Sequence, residues 1–466
     1  MLLRLVPLFL ILVTSGFGHS GDIPRSAWPN SWFSAPKTAS EVQIDSFFQS
    51  PLLDSEVLSG DLPPLVKRLP EDPIVVEGID GIGNYGGTAQ LFWAGEQLLN
   101  VPEGPLRVGP ALQLTLPNFA KKVEYTNGSR TLTVHLRRGH RWSDGHPITT
   151  DDFHFWFKHV LMDKRLTPVV EARFKGAQIE VHDEYSFSYH FPDPQPLFLK
   201  FLAHSGWRIS LPAHFMSRFH PDFTPVEQLE EEAAEQGLQD WRTYFQVVNN
   251  TRDLMVFYRP VKTAYMVMSR TSTRARFRRN PFYPKVDYAG NQLPYIDFVE
   301  VRRVGSEEMM AAKASTGQVS LAGRQFMTGD IPLFKKFEKE NGYQTYLWPR
   351  PYGSDVAVMI NMTHQDTSKR RLFSDVRFRR ALSLAINRNE INQIAYFGHG
   401  VPRQLTVVPA SAYFEPEFAN AWADYDPILA GALLDDIGLL DRNGDGRREG
   451  VDGSPLEISL EYSLGE

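Results

Sequence analysis

Two hydrophobic periodicities take turns along nearly the whole chain, and this alternation limits the fold more than any other feature. Strand-like patterns predict short strands beginning near Ile74 and at 121–125 and 131–136. The last two are joined by Asn127-Gly128, a hairpin signal. Further strands are expected at 177–181, 185–191, 343–348, 355–361 and 456–462. Helical spacing sits between them. Thr149 and Asp152 form a capping box ahead of Phe153, Trp156, Phe157, Val160 and Leu161. Thr224-Pro225 opens a helix that Gly237 closes, Pro being suited to the first helical position. Others run over 306–317 and 331–340, after Asp375, from Asn387 with Glu390, and from Asp426-Pro427 to Gly438. Helices and strands interleave throughout, which predicts a mixed α/β architecture. At 466 residues without an internal repeat, the chain has length for two or three domains or one pair of large lobes.

The N-terminus reads as a secretory signal peptide over 1–18. A basic start at Arg4 precedes an apolar run from Leu5 to Val13, and small residues Gly16 and Gly18 frame a cleavage site. Nine apolar residues are too few to span a hydrocarbon core, which needs about 20. The chain has no cysteine, so disulfides, thiolate metal sites, cysteine nucleophiles and a lipidated cysteine are all excluded. Free periplasmic location is the expectation. A net charge of -6, with both signs interspersed, gives no electrostatic footing for nucleic acid.

Two motifs invite specific chemistry. Gly81-Ile82-Gly83-Asn84-Tyr85-Gly86 matches a dinucleotide fingerprint, but Gly87 and the Pro102 to Pro105 stretch break the strand–helix context, so a flexible glycine turn is the better reading. Asp441, Asn443, Asp445 and Asp452 have the spacing of a calcium loop with Gly446 at the sharp turn; a polar hairpin turn is the plainer account. The histidines do not cluster: His154 and His159 are five apart and share no helical face. No metalloprotease helix, nucleophile elbow, P-loop or carboxylate pair is evident, and no catalytic residue, cofactor or resident metal is expected. Nine tryptophans and seventeen tyrosines are the remaining unusual feature. Trp93, Trp207, Trp348 and Tyr352 lie near expected strand ends or loops, where rings can line a ligand cavity; core packing is the simpler role for each.

Four stretches taken together resemble the extracellular solute-binding proteins of family 5, the peptide/nickel class of ABC importer receptors. They are Leu136-Arg137-Arg138-Gly139 with Trp142-Ser143-Asp144-Gly145-His146-Pro147; Leu211-Pro212-Ala213-His214-Phe215; Arg279-Asn280-Pro281 with Asp287 to Asp297; and Phe373 to Arg388. The resemblance implies a two-lobed periplasmic binding protein fold of class II, with an extra β-rich subdomain in lobe one. It also implies capture of a peptide or peptide-like solute between lobes, delivery to permease subunits in the inner membrane, a monomeric state and no enzymatic activity.

On that footing, 19–70 is an extended N-terminal segment, 71–348 is lobe one, and 349–466 begins lobe two. Family members run on further, so the second lobe is expected to be incomplete at the C-terminus. The candidate cleft residues are Phe92, Trp93, Trp207, Arg350 and Tyr352. Arg350 suits a ligand carboxylate, although an exposed surface arginine is the plainer reading. The competing readings are a secreted hydrolase acting on peptides or glycans, and a receptor for sugar, nickel or haem on the same scaffold.

Overall fold

The computed structural model describes residues 8–14, 30–94, 103–109, 115–250, 258–322, 326, 328–349, 353–354, 356–409, 411 and 413–461. The chain divides into two compact units, Pro24–Val304 and Gly305–Glu466 taken with Met1–Ile23. The division falls earlier than the boundary expected at 349. The reason is local packing: the helix Ile331–Asn341 packs on both the helix Glu307–Ser315 and the strand Tyr343–Pro349.

In the first unit, four antiparallel strands form a sheet in the order Ala120–Thr126, Thr131–Leu136, Ser186–His190, Gln178–Asp183. The hairpin expected at Asn127-Gly128 is present, with both residues at positive φ. Leu132, Val134 and Leu136 alternate inward and meet Phe187 and Tyr189 in the main core. The helix Thr150–Phe155 lies over them, continued by a π-helical turn through Leu161. Its start is the capping box read from the sequence: Asp151 N donates to Thr149 Oγ1, and Thr149 N donates to Asp152.

Asp152 does more than cap. Its carboxylate also accepts from Trp142 Nε1 at 3.0 Å and from Ala213 N at 2.9 Å, while Leu211 N donates to its carbonyl. His214 reaches Asp144 at 2.7 Å and stacks on His146 at 3.8 Å. The Trp142 turn, the capped helix and the Leu211–Phe215 stretch are therefore one polar junction, formed by two of the four sequence motifs.

A second sheet is mixed, in the order Tyr265–Arg270, Arg274–Arg279, Phe298–Val304, Thr88–Ala94, the last pair parallel. Gly81, Gly86 and Gly87 take left-handed φ just before it. A strand follows them, so no helix N-terminus is there to receive a pyrophosphate.

Residues 30–70 depart from the loose extension expected. They contain the helices Asp54–Ser59 and Leu65–Arg68, and residues 46–50 pack onto the loop 287–297. Phe48 exchanges backbone hydrogen bonds with Gly290 and Gln292. Gly290, at φ +80°, has no room for a side chain: a Cβ would lie 2.1 Å from Ser46 O. Low periodicity concealed this segment because its buried apolar residues, Leu53, Leu62, Leu65 and Leu69 among them, follow no regular spacing and its other anchors are polar. Chief among them is Arg68, fully buried, which donates to the carbonyls of Pro63 and Pro281 and to Gln49.

In the second unit, Leu321–Ala322, Leu8–Thr14 and Tyr343–Pro349 form a parallel sheet with Leu8–Thr14 in the middle. The helix Val376–Leu384, capped by Asp375, buries Phe378, Ala381 and Leu384 and packs on Pro427–Asp436, itself capped by Asp426. Asn387 caps Arg388–Tyr396 as expected. The strands expected at 355–361 and 456–462 do not form among the described residues, because neither stretch finds a ladder partner. Val356, Met359 and Leu460 are accordingly exposed. No helix among the described residues is long and apolar enough to cross a membrane.

Replacing Asp152 with Ala strands three donors at once. Asp152→Ala should lower the free energy of urea unfolding by roughly 3 kcal/mol, read from the denaturation midpoint at unchanged slope.

Candidate ligand-binding site

A sizeable cavity is found in each unit. The cavity in the first unit, about 630 Å³, is lined by the strands Tyr265–Arg270 and Arg274–Arg279 of the second sheet, by the π-helical turn through Leu161 and by the stretches 207–211 and 259–263. Trp142, Trp156, Phe174 and Phe277 supply apolar walls, and Lys262, Arg259, Arg208, Glu103 and Ser210 supply polar groups. Of the five residues expected to face a cleft, Trp207 lines this cavity, its ring 5.0 Å below the Arg208 guanidinium.

Lys262 is held there from two sides. Val261 exchanges hydrogen bonds with Ser143, accepting from Ser143 N at 2.8 Å and donating to Ser143 Oγ at 2.9 Å. On the other side Asn280 donates through its side chain to Thr263 O and through its backbone to Ala264 O. The Trp142 turn and the Arg279-Asn280 stretch thus clamp 261–264. The Lys262 ammonium donates to Ser210 Oγ at 2.5 Å and lies 4.7 Å from the Phe119 ring centre and 5.6 Å from that of Trp142. Burial pushes it down to about 7; Arg259 adds to that, while Asp152 and Glu103 oppose it. Glu103 accepts from Lys285, Tyr283 and Asn118, and these partners hold its carboxyl below the usual range against the opposing effect of its burial.

Phe92 and Trp93 lie on the strand Thr88–Ala94 and face opposite sides of the sheet. Trp93 packs with Ala89 and Leu91 against Ala275, Phe277, Val299 and Val301, so the sheet core takes it up. Neither ring lines the cavities described here. Arg350 and Tyr352 lie outside the described residues.

The cavity of the second unit is about 920 Å³ and includes Gly353 and Ser354, which follow Tyr352 in sequence. It combines an aromatic ring, Trp422, with planar polar groups from Arg380, Arg388, Asn392 and Gln404. The Arg380 guanidinium lies 4.3 Å over the Trp422 ring. Gln404 donates to Trp422 O and to Ser383 Oγ, and Arg388 donates to Ser383 O and Ala423 O. Asn392 grips both the N–H and the carbonyl of Gly400. These contacts fix the loop that forms the wall. Sequence reasoning missed Trp422 and Gln404, which no local pattern distinguishes. Asn392 was likewise missed, and Arg388 drew notice only as the end of an architectural stretch; both lie on the helix Arg388–Tyr396.

Two acidic or histidine clusters lie elsewhere. Asp441 and Asp445 come together with Glu449, not with Asp452, whose carboxylate accepts from Ser454. Asp441 and Asn443 are occupied by turn amides of Gly444, Gly446 and Asp445, the arrangement of a polar turn. His159, His220 and Asp222 also converge, which the sequence gave no sign of. Their atoms are already used: His220 accepts from Asp222 N and faces Asp163 at 3.1 Å, and His159 meets Asp222 at 2.9 Å.

Lys262 gives this region a stability signature. The folded chain releases its proton near pH 7, whereas the unfolded chain holds it to the ordinary 10.5. Between those values the unfolded state binds more protons, so this lysine's contribution makes stability rise with pH. Lys262→Met removes that slope and should be stabilising by on the order of 4 kcal/mol at pH 6, less at pH 9, as read from chemical unfolding at the two values.

The family model described as "Bacterial extracellular solute-binding proteins, family 5 Middle" matches residues 115–465. The periplasmic alpha-galactoside-binding protein of Rhizobium meliloti is 24% identical over 84% of this chain and 59% of its own length. The periplasmic oligopeptide-binding protein OppA of Salmonella typhimurium is 22% identical over 59% of this chain and 45% of its own. The chain thus spans less than two thirds of these relatives. Among solved structures, an oligopeptide-binding protein OppA superposes with a TM-score of 0.70 at 34% identity, over 89% of this chain and 67% of that one. The periplasmic binding protein MelB from Agrobacterium fabrum C58, solved in complex with stachyose, gives 0.69 at 21% identity, over 95% and 71%.

Proposed function

Because the chain belongs to family 5 of the bacterial extracellular solute-binding proteins, we propose that it is the solute-capturing component of an ABC importer, acting in the periplasm and leaving its solute chemically unchanged. The family match across 115–465 is the observation that carries this reading. Peptides are the first ligand class to consider, since an OppA structure shares 34% identity with this chain. A receptor of this kind holds an extended peptide mainly through its backbone and tolerates varied side chains in wet pockets. Permease subunits of the inner membrane are the partners the reading requires.

A second ligand class has its own support. The alpha-galactoside-binding relative covers 84% of this chain, and the cavity of the second unit is lined by Trp422 together with Asn392 and Gln404. An aromatic face with planar hydrogen-bonding groups at its edge suits a sugar ring, which has an apolar face and a rim of hydroxyls.

Native mass spectrometry of the protein purified from the periplasm of producing cells separates the two. Bound masses spaced by hexose units would assign oligosaccharide; a spread of peptide masses would assign peptide. Absence of any co-purified solute, together with no calorimetric binding of stachyose or of mixed tripeptides, would defeat the proposal. So would accumulation of cleaved products.

A further inference from the structure

We propose that the cavity of the first unit is a binding site for a small amphipathic carboxylate, its anionic head on Lys262 and Arg259 and its apolar body against Trp142, Trp156 and Phe174. The charge distribution is the starting point. Lys262, Arg259 and Arg208 all line the cavity, and among the described residues none has a carboxylate within ion-pair distance. The two carboxylates that line it are engaged elsewhere: Glu103 with Lys285, Tyr283 and Asn118, and Glu171 with Arg173 at 2.9 Å. A desolvated cation without a counter-charge is costly, and an anion entering from solvent would relieve it.

Hydrogen-bonding capacity agrees. Ser210 accepts one N–H of the Lys262 ammonium, which has three. Arg259 lines the same cavity and donates through Nη1 to Asn249 O. The two remaining ammonium N–H groups of Lys262 match one carboxylate better than a phosphate dianion. The walls beside them are largely aromatic, with Trp156 edge-on to Phe174 at 5.5 Å, so the rest of the ligand must be apolar. A volume of about 630 Å³ suits a small organic acid. Val169, 85% exposed, and Arg208 mark the open mouth.

The charged groups around the ammonium are Asp152, Glu103 and Arg259. A bound anion joins the first two in favouring the protonated lysine, so binding should weaken as pH rises through about 7, where the unliganded group gives up its proton.

The test compares 3-phenylpropionate with 3-phenylpropanol on the full chain, followed by tryptophan fluorescence and calorimetry. At pH 6 the acid should bind at least tenfold more tightly than the alcohol, a preference that shrinks several-fold at pH 8.5. Lys262→Met should abolish the preference while the variant melts as a folded protein. Val169→Asp, a change at the exposed mouth, should weaken the acid several-fold and leave the alcohol unchanged. Equal binding of the two probes, binding of neither, or a preference that survives Lys262→Met would each overturn the site. None of these outcomes bears on import of a separate solute, so the receptor reading stands or falls on its own experiment.

Discussion

Two buried arginines hold the first unit together. Arg68 and Arg279 head the fully buried side chains by volume, and Arg68 is pushed down to about 10 by burial and by Arg279. Two guanidiniums close together in a low-dielectric interior need partners for most of their donors, and Arg279 Nε is the one nitrogen of the pair left buried without one. Arg279 donates to Gln292 O at 2.9 Å and to Asp297 at 3.3 Å and lies 5.0 Å from the Tyr85 ring. Gln292 turns its own amide to the carbonyls of Pro281 and Tyr283 and accepts from Arg68. Ser50 donates to Asp297 at 2.7 Å. Residues near 50, 68, 280 and 292 must therefore come together or leave buried charge unmatched.

This constraint reaches the cavity directly. Asn280 follows Arg279 and holds the backbone of 263–264, and Tyr265 donates to Ile296 O within the same loop. Across the cavity, the Trp142 turn holds Val261 and is itself fixed by Asp152. The residues that define the family thus support the wall without lining most of it. They place Lys262 by fixing the backbone on either side of it.

Much of the architecture was legible. The Thr149–Asp152 capping box, the Asn127-Gly128 hairpin and the caps at Asp375, Asn387 and Asp426 are local devices, each set by a few neighbouring residues, and each is present. What failed was non-local. The stretches at 355–361 and 456–462 carry strand-like residues, but a strand exists only where a partner accepts its backbone bonds. The 30–70 segment read as loose because Arg68, Ser50 and Phe48 are held by groups more than two hundred residues away, in the 281–297 loop. The cavity residues were hidden for the same reason. Lys262 has no sequence neighbour that marks it, and Trp207 drew notice only as an aromatic in a loop.

The first unit's order should consequently be readable amide by amide. Native-state hydrogen exchange followed at Phe48, Arg279 and Gln292, in the intact chain and in Arg68→Met, probes the buried arginine cluster most directly. The account requires these amides to be among the slowest in the unit, opening only with its cooperative unfolding, and to exchange much faster once Arg68 is removed. Rapid exchange at Phe48 and Gln292 while the strands Thr131–Leu136 and Ser186–His190 remain protected would mean that the N-terminal segment merely rests on the surface, and the account would fail.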